Sequence, residues 1–277
     1  MAVKVLLADR LSAGSVEAFA AEADIMAQLS THPAIVTIYQ AGVSGDGRPF
    51  LVMEYCPRPN LQARYRTERF SLAESLRVGI QVSAAVETAH RAGILHRDIK
   101  PANILVTEYN RPALTDFGIA ATTTSAAHSE GMSIPWSPPE SFAEPPRGAE
   151  TSDVWALGAT IYTLLAGRSP FEVPGGANSG ADLISRVETG ALAPIDRADV
   201  PESLQRVLAR AMAKNPSSRY GSALDRARAL QRVQIELRQS VTPIDVVDEG
   251  VADTAAPRAD DEESTRIRSV VSLDPTG

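Results

Sequence analysis

The chain has 277 residues, of which 44% are hydrophobic and 22% charged, and its formal net charge is -7. These values are typical of a globular protein, exclude collagen-like and disulfide-scaffold classes, and argue against a nucleic-acid binder. The single cysteine, Cys56, cannot form an internal disulfide, so we expect a cytoplasmic protein. No apolar run reaches the ~20 residues needed to cross a bilayer, so we expect no membrane segment.

The N-terminal part of the sequence predicts a small sheet with one helix. Residues 2–7 form a short apolar run typical of a buried strand, and residues 15–29 carry the alanines and spaced apolar side chains of a helix. Two strand-like segments, 36–41 and 50–55, are separated by the turn sequence Ser-Gly-Asp-Gly at 44–47. This arrangement predicts a β-hairpin.

The following part is predicted to be mainly helical. Residues 71–92 carry two apolar stripes spaced by four, so we expect this helix to be buried on more than one face. Further helices are predicted at residues 153–166, 181–189, 202–213 and 222–238. A small strand-containing part thus precedes a larger helical part, and the cleft between two such parts is a common place for a ligand.

Acidic residues are concentrated near the C-terminus. Residues 245–263 hold eight acidic residues and one arginine, and they contain no aromatic side chain. Low hydrophobicity combined with high net charge is typical of segments that do not fold alone. We therefore predict a folded domain over residues 1–238 and a disordered acidic tail or linker over residues 239–277.

Two short motifs carry most of the chemical information. Residues 94–103, Ile-Leu-His-Arg-Asp-Ile-Lys-Pro-Ala-Asn, place Asp98, Lys100 and Asn103 within six positions, and Ala-Leu-Thr-Asp-Phe-Gly at 113–118 adds a further acid. Taken singly, the first motif is equally compatible with a surface charge cluster and the second with a turn. Their occurrence together and in this order favours a functional interpretation.

In this order and spacing, the motifs resemble those of the eukaryotic-type (Hanks-type) Ser/Thr protein kinases. The resemblance implies an α+β, two-lobed fold: a small N-lobe with a reduced antiparallel sheet plus one helix (residues 1–56), and a larger, mainly helical C-lobe (residues 57–238). It also implies transfer of the γ-phosphate of Mg-ATP to Ser/Thr hydroxyls of protein substrates. A lysine two residues after the aspartate, as at Lys100, is typical of Ser/Thr kinases. The arginine- and alanine-rich composition suggests a bacterial source.

The resemblance also implies a role for each motif residue. Asp98 is expected to be the catalytic base, and Lys100 is expected to contact the γ-phosphate. Asn103 and Asp116 are expected to hold Mg²⁺, for which amide and carboxylate oxygens are suitable ligands.

Five residues are expected to bind the nucleotide. By resemblance, Lys4 pairs with Glu22 and contacts the α- and β-phosphates, Met53 is the gatekeeper, and the backbone of Glu54 and Cys56 faces adenine. The alternative interpretations are that Lys4 is only a charge near a terminus and that Met53 is a core residue.

Four further side chains are expected to support the site. By resemblance, Glu140 pairs with Arg219, and Asp153 braces the backbone of the catalytic loop. Ser133 replaces the usual threonine and is expected to place its hydroxyl near Lys100.

The segment between Gly118 and Pro138, which follows the second motif, is rich in hydroxyl groups. We expect self-association and autophosphorylation there, with the phosphate paired to Arg97, because a phosphate beside a guanidinium orders a loop. The alternative is an unmodified polar loop. The candidate positions are Thr122, Thr123, Thr124 and Ser125.

One family landmark is missing from the sequence. The two strands and Gly-x-Gly-x-x-Gly turn that precede the lysine strand in this family are not found ahead of Lys4. The glycines at 42–47 follow the first helix, so their position contradicts a phosphate-binding role. We therefore expect an N-terminally truncated kinase of uncertain activity or, alternatively, an inactive kinase-like (pseudokinase) interaction module.

Overall fold

A computed structural model of the chain describes residues 1–5, 20, 23–117, 133–145 and 147–247. Several residues singled out above lie outside this set, namely Glu22, Gly118, Thr122, Thr123, Thr124, Ser125 and positions 248–277. The expectations for them stay predictions.

The N-terminal sheet has three antiparallel strands. They are β1 (Ala2–Val5), β2 (Ile38–Val43) and β3 (Pro49–Met53), with β3 in the centre. The turn between β2 and β3 contains Gly47 at a φ of 81°, a conformation that glycine adopts without a steric penalty. The predicted hairpin is therefore present.

The register of β1 decides where its lysine points. Ala2 lies opposite Met53 and Lys4 lies opposite Leu51. Because alternate residues of a strand share a face, Lys4 lies on the same side of the sheet as these two apolar residues. Leu51 and Met53 are buried in the core together with Met26 of helix α1 (residues 23–29). Lys4 thus extends from the inner face of the sheet.

The rest of the described chain is mainly helical. Its helices are α2 (Leu61–Thr67), α3 (Leu72–Arg91), α4 (Glu150–Ala166), α5 (Gly180–Thr189), α6 (Glu202–Ala211) and α7 (Ala223–Glu236). A two-stranded antiparallel sheet is formed by β4 (Ile104–Val106) and β5 (Pro112–Leu114), and single 3₁₀ turns lie at Pro101–Asn103, Ile134–Trp136, Pro139–Phe142 and Pro216–Ser218. The predicted α+β composition is confirmed. None of the helices in the described part is long and apolar enough to span a membrane.

Helices α3 and α4 form the centre of the helical part. Both are buried on most of their surface, as the two apolar stripes predict for α3. At Gly79 an added Cβ would lie only 3.0–3.1 Å from side-chain atoms of Leu230 and Ile161, so glycine allows α3 to approach α7 and α4 closely. This core supports the loops that carry the motifs.

The small sheet and the helical part are joined through β5. The backbone N–H of Val36 donates to Leu114 O at 2.9 Å, and Leu114 N–H donates to Ala34 O at 2.8 Å. These bonds explain why β2 begins at Ile38 rather than at the predicted residue 36. They also bring the end of β5, and with it Asp116, beneath the N-terminal sheet.

Several element boundaries differ from the predictions. Helix α4 begins at Glu150 rather than at residue 153, because the Ser152 hydroxyl accepts the Ala149 N–H and caps the first turn. Helix α2 and the β4–β5 pair were not predicted, since seven and three residues are too few to show a clear period.

The packed chain continues beyond α7. Thr242 N–H donates to Gln234 Oε1 at 2.8 Å, and Val247 N–H donates to Thr88 Oγ1 at 3.2 Å. Between them, the Asp245 carbonyl is 2.6 Å from His32 Nε2. Described contacts therefore extend to Val247, beyond the predicted end of the domain at residue 238.

Candidate active site

A buried carboxylate holds the backbone just before Asp98. Asp153, which is 1% exposed, accepts the His96 N–H at 2.8 Å through Oδ2 and the Arg97 N–H at 2.9 Å through Oδ1. Arg97 has a φ of 66°, a left-handed conformation that costs a non-glycine residue roughly 1–2 kcal/mol. The two hydrogen bonds stabilise this turn, so Asp153 has the bracing role that the resemblance implies.

Asp153 also bonds a histidine that the sequence analysis did not single out. His90 Nε2 lies 2.8 Å from Asp153 Oδ2, and both side chains are buried. Burial alone would raise the pKa of Asp153, but the hydrogen bond with His90 and the further interactions with His90 and His96 outweigh burial and lower this pKa. The carboxylate is therefore ionised at neutral pH.

Three side chains lie around that of Asp98. Its Oδ2 accepts Lys100 Nζ at 2.7 Å and Asn103 Nδ2 at 3.0 Å, and Lys100 Nζ also donates to Ser133 Oγ at 2.6 Å. No donor among the described residues bonds Asp98 Oδ1, and the side chain is 30% exposed. Asp98 thus has one carboxylate oxygen fixed and one available to an incoming hydroxyl.

Asp116 lies beside the lysine of β1. Lys4 Nζ is 2.8 Å from Asp116 Oδ1. Asp116 has a φ of 60°, and the preceding residue, Thr115, donates its N–H to Asn103 O at 3.0 Å. The structure therefore brings Lys4 together with the second motif, whereas its predicted pairing with Glu22 concerns a residue outside the described set.

His96 links the two motifs. Its pKa is lowered chiefly by burial, so the ring is neutral at pH 7 and carries one N–H. A carbonyl oxygen can only accept, so Nε2 donates to Thr115 O at 3.1 Å, while Nδ1 accepts the Asp98 N–H at 3.3 Å. The ring also lies 4.6 Å from that of Phe117. One neutral imidazole thus sets the distance between the loops of Asp98 and Asp116.

The donor set fits a magnesium ion that is shared with a ligand. Asn103 Nδ2 is engaged by Asp98, which leaves the amide oxygen for a cation, and Asp116 supplies a carboxylate. The described residues contain no group of three or more His, Cys, Asp or Glu side chains that could hold a metal alone. Magnesium is commonly held by one or two carboxylates together with substrate phosphates.

The predicted adenine-binding segment follows β3. Met53 is 7% exposed and belongs to the core, as the alternative interpretation for it states. Glu54 N–H donates to Thr37 O at 2.9 Å, whereas the Cys56 N–H makes no hydrogen bond with a described residue. Burial and the nearby Glu54 carboxylate raise the pKa of the Cys56 thiol to about 11. The thiol is therefore protonated and unreactive at neutral pH.

The predicted ion pair beyond the site is present. Arg219 binds Glu140 through two hydrogen bonds of 2.6 and 2.8 Å, and Ser152 Oγ donates to the same carboxylate at 2.8 Å. Burial would raise the pKa of Glu140, but these interactions with Arg219, followed by that with Ser152, lower it. The pair fixes the 3₁₀ turn of Glu140 against α4 and the turn that follows α6.

Comparison with known sequences gives one consistent family. The sequence matches the protein kinase domain family over residues 1–232. It is 38% identical over 238 residues to the serine/threonine-protein kinase PknK of Mycobacterium bovis and of Mycobacterium tuberculosis, which covers 84% of this chain and 21% of those proteins. It is 32% identical over 255 residues to the serine/threonine-protein kinase PknA of Mycobacterium tuberculosis, with 88% of this chain and 58% of that protein covered. The chain therefore spans about a fifth of PknK and somewhat more than half of PknA.

Proposed function

The chain belongs to the protein kinase family, and from this premise we propose that it transfers the γ-phosphate of ATP to serine and threonine hydroxyls of protein substrates. The observation that carries the proposal is the arrangement around Asp98. Lys100 and Asn103 donate to one carboxylate oxygen, Ser133 accepts a hydrogen bond from Lys100, and the other carboxylate oxygen has no donor among the described residues. The same arrangement has no evident use in an inactive interaction module, so we do not favour that alternative.

Asp98 acts on the substrate hydroxyl. Its Oδ1 accepts the hydroxyl hydrogen bond and orients the oxygen towards the γ-phosphorus. The hydroxyl oxygen forms a bond to that phosphorus, the bond between phosphorus and the bridging oxygen of ADP breaks, and the hydroxyl proton passes to Asp98. Because Oδ2 is held by Lys100 and Asn103, the carboxylate keeps one orientation during this step.

Two lysines supply positive charge to the phosphates. Lys100 lies between Asp98 and Ser133, so its ammonium group is placed to stabilise charge on the transferred phosphoryl group. Lys4 extends from the inner face of the sheet to Asp116, and we infer that it contacts the α- and β-phosphates. The two cations thus act at different phosphates of one nucleotide.

Asn103 and Asp116 would hold Mg²⁺ through their oxygens. When bound, the ion neutralises phosphate charge and aligns the β- and γ-phosphoryl groups. Adenine would form hydrogen bonds with the backbone of Glu54 and Cys56. The Cys56 N–H makes no hydrogen bond with a described residue.

The same proposed activity would also phosphorylate the hydroxyl-rich segment of the chain itself. Arg97 is exposed and immediately precedes Asp98, and we infer that its guanidinium pairs with a phosphate on this segment. We infer autophosphorylation between two copies at Thr122, Thr123, Thr124 or Ser125.

The test of the proposed function is transfer of labelled phosphate from ATP. The purified chain is incubated with Mg²⁺, γ-labelled ATP and a general protein substrate such as casein, and the labelled residues are identified by mass spectrometry. We expect label on serine and threonine, with none in a parallel preparation that carries Asp98→Asn. Label on tyrosine alone, or equal labelling by the two preparations, would contradict the proposal.

A further inference from the structure

An open groove of about 1310 Å³ lies outside the catalytic site. It is bounded by α2, the first half of α3 and the segment that follows α7. Four arginines line it, and we name it the arginine groove after them: Arg58, Arg64, Arg77 and Arg238. Its volume exceeds the roughly 300–1,000 Å³ of most small-molecule sites, so its size suits a peptide segment better than a metabolite.

The groove has an excess of positive charge. Arg64 and Arg77 share Glu74, at 3.0 and 3.7 Å, and Arg64 also contacts Glu68 at 2.5 Å. The groove thus has four arginines and only two glutamates among its lining side chains. Residues 245–263 hold eight acidic residues and one arginine and so account for the net charge of -7, which means that the groove is a positive surface on an otherwise nearly neutral chain.

Two of the arginines are not neutralised within the described part of the chain. Arg58 and Arg238 are both exposed, and neither makes an ion pair with a described residue. They approach the groove from different parts of the chain, Arg58 from the segment before α2 and Arg238 from the segment that follows α7. An acidic ligand can therefore contact both of them without displacing an existing partner.

Small apolar groups accompany this charge. Ala63 of α2 and Ala73 of α3 are exposed on one side, and Val241 is exposed on the other. The amides of Gln81 and Gln239 add hydrogen-bonding groups. A segment that combines carboxylates with small apolar side chains matches this surface.

One wall of the groove is fixed by side-chain hydrogen bonds. Gln231 Nε2 donates to Thr242 O at 2.8 Å, and Gln234 Nε2 donates to Thr242 Oγ1 at 2.9 Å. Thr242 is buried, and its N–H returns a bond to Gln234. A wall formed in advance lowers the entropy lost on binding.

The groove is connected to the catalytic loop through α2. Asn60 caps α2 by accepting the Ala63 N–H at 2.9 Å, and its Nδ2 donates to Ala102 O at 3.3 Å, next to Asn103. A protein held in the groove therefore has its neighbouring residues at high local concentration beside the site.

We propose that the arginine groove docks an acidic segment of the protein substrate, apart from the hydroxyl that is phosphorylated. The use of docking in catalysis rests on the proposed function. Docking itself does not rest on the proposed function, because binding of an acidic segment can be measured without phosphate transfer.

Binding is measured by fluorescence anisotropy with a labelled decapeptide of alternating glutamate and alanine. We expect Arg58→Glu combined with Arg238→Glu to weaken binding at least 10-fold, and salt at 0.3 M to weaken it as well. The matched control combines Arg206→Glu with Arg228→Glu, two exposed arginines outside the groove that give the same change in net charge. The control is expected to bind within 2-fold of the unmodified chain.

A kinetic comparison separates the two proposals. A short neutral substrate peptide is assayed alone and fused to the acidic decapeptide, and the fusion is expected to have a KM at least 10-fold lower, an advantage that the groove variant loses. If phosphate is transferred to neither peptide, the proposed function is contradicted. The anisotropy measurement would still show whether the groove binds the acidic decapeptide.

Three results would overturn docking of an acidic protein segment. They are no binding of the decapeptide, equal losses in the groove variant and its control, or equally tight and arginine-dependent binding of a single-stranded oligonucleotide. If the double charge reversal unfolds the chain, the neutral pair Arg58→Gln and Arg238→Gln is used, and a loss of at least 3-fold is expected.

Discussion

Lys4 Nζ lies 2.8 Å from Asp116 Oδ1, so a lysine of the first strand meets a carboxylate 112 positions later in the chain. The two side chains are 39% and 41% exposed. Exposed ion pairs contribute at most about 1 kcal/mol to stability. The pair therefore contributes little to stability, and we propose that its role is to place a cation and a metal-binding carboxylate at one nucleotide.

Replacement of Lys4 distinguishes its role at the nucleotide from its contribution to the stability of the fold. We predict that Lys4→Met lowers kcat/KM for ATP at least about 100-fold, since charge at the phosphates is lost. The melting temperature should fall by no more than about 4 °C, because the pair contributes at most about 1 kcal/mol. Steady-state kinetics and thermal unfolding of the same preparation measure both. Unchanged kinetics would remove Lys4 from nucleotide binding.

The Ser133 hydroxyl is predicted to position Lys100. Its oxygen accepts Lys100 Nζ at 2.6 Å, so Ser133→Ala should free the ammonium group and lower kcat about 10-fold. Ser133→Thr keeps the hydroxyl and serves as the matched control, with kcat within about 2-fold of the original. Equal kcat values for the alanine and threonine variants would show that this hydrogen bond has no role.

Local motifs were the most predictable part of the site. Asp98, Lys100 and Asn103 lie within six positions, so one loop brings them together whatever the rest of the fold. The Lys4–Asp116 contact depends on the β1 register and on the pairing of residues 34–36 with β5, and neither leaves a periodic signal.

The contacts that support the site were harder to predict. His90 lies in the last turn of α3 in a sequence typical of any buried helix, and its role depends on the distance between α3 and α4. Likewise, residues 239–247 mix polar and apolar side chains without a clear period, and their packing depends on single partners such as Gln234, Thr88 and His32. Such partners can be identified only once the helices are placed.

The Glu140–Arg219 pair is predicted to be a large contributor to stability. The Arg219 side chain is fully buried, and breaking a buried pair from one side costs about 3–5 kcal/mol. We therefore expect Glu140→Gln to lower the melting temperature by at least about 6 °C. The matched control is Glu202→Gln, which breaks an exposed pair with Arg206 and should change the melting temperature by less than about 2 °C. Similar shifts for the two variants would contradict this assignment.

The same pair predicts a pH dependence of stability. The pKa of Glu140 is lower in the folded chain than its ordinary value of about 4.3, so folding favours the ionised form. The resulting stabilisation is present above that ordinary value and is lost as pH falls through the lowered pKa. Thermal unfolding from pH 7 to pH 3 should show the gap between the original chain and Glu140→Gln narrowing below about pH 4. A constant gap would contradict the sign of the shift.

The Cys56 thiol is predicted to react slowly with alkylating reagents. Its pKa is raised from 9.0 to about 11, so the thiolate fraction at pH 8 is about 100-fold lower than for an unperturbed thiol. We expect iodoacetamide to alkylate the folded chain about 100-fold more slowly than the urea-unfolded chain at the same pH. The chain has one cysteine, so the mass increase reports this site alone. Equal rates would show that the thiol is neither buried nor shielded.

The most direct test of the central proposal compares phosphate transfer and nucleotide binding in Asp98→Asn. Asp98 is proposed to act on the hydroxyl, whereas Asn103, Asp116 and Lys4 are proposed to hold the Mg-nucleotide. We predict that kcat falls at least about 1,000-fold, while the Kd for Mg-ATP, measured by calorimetry, stays within about 3-fold. Near-normal transfer by this variant, or loss of transfer only in proportion to lost nucleotide binding, would contradict the proposed role of Asp98.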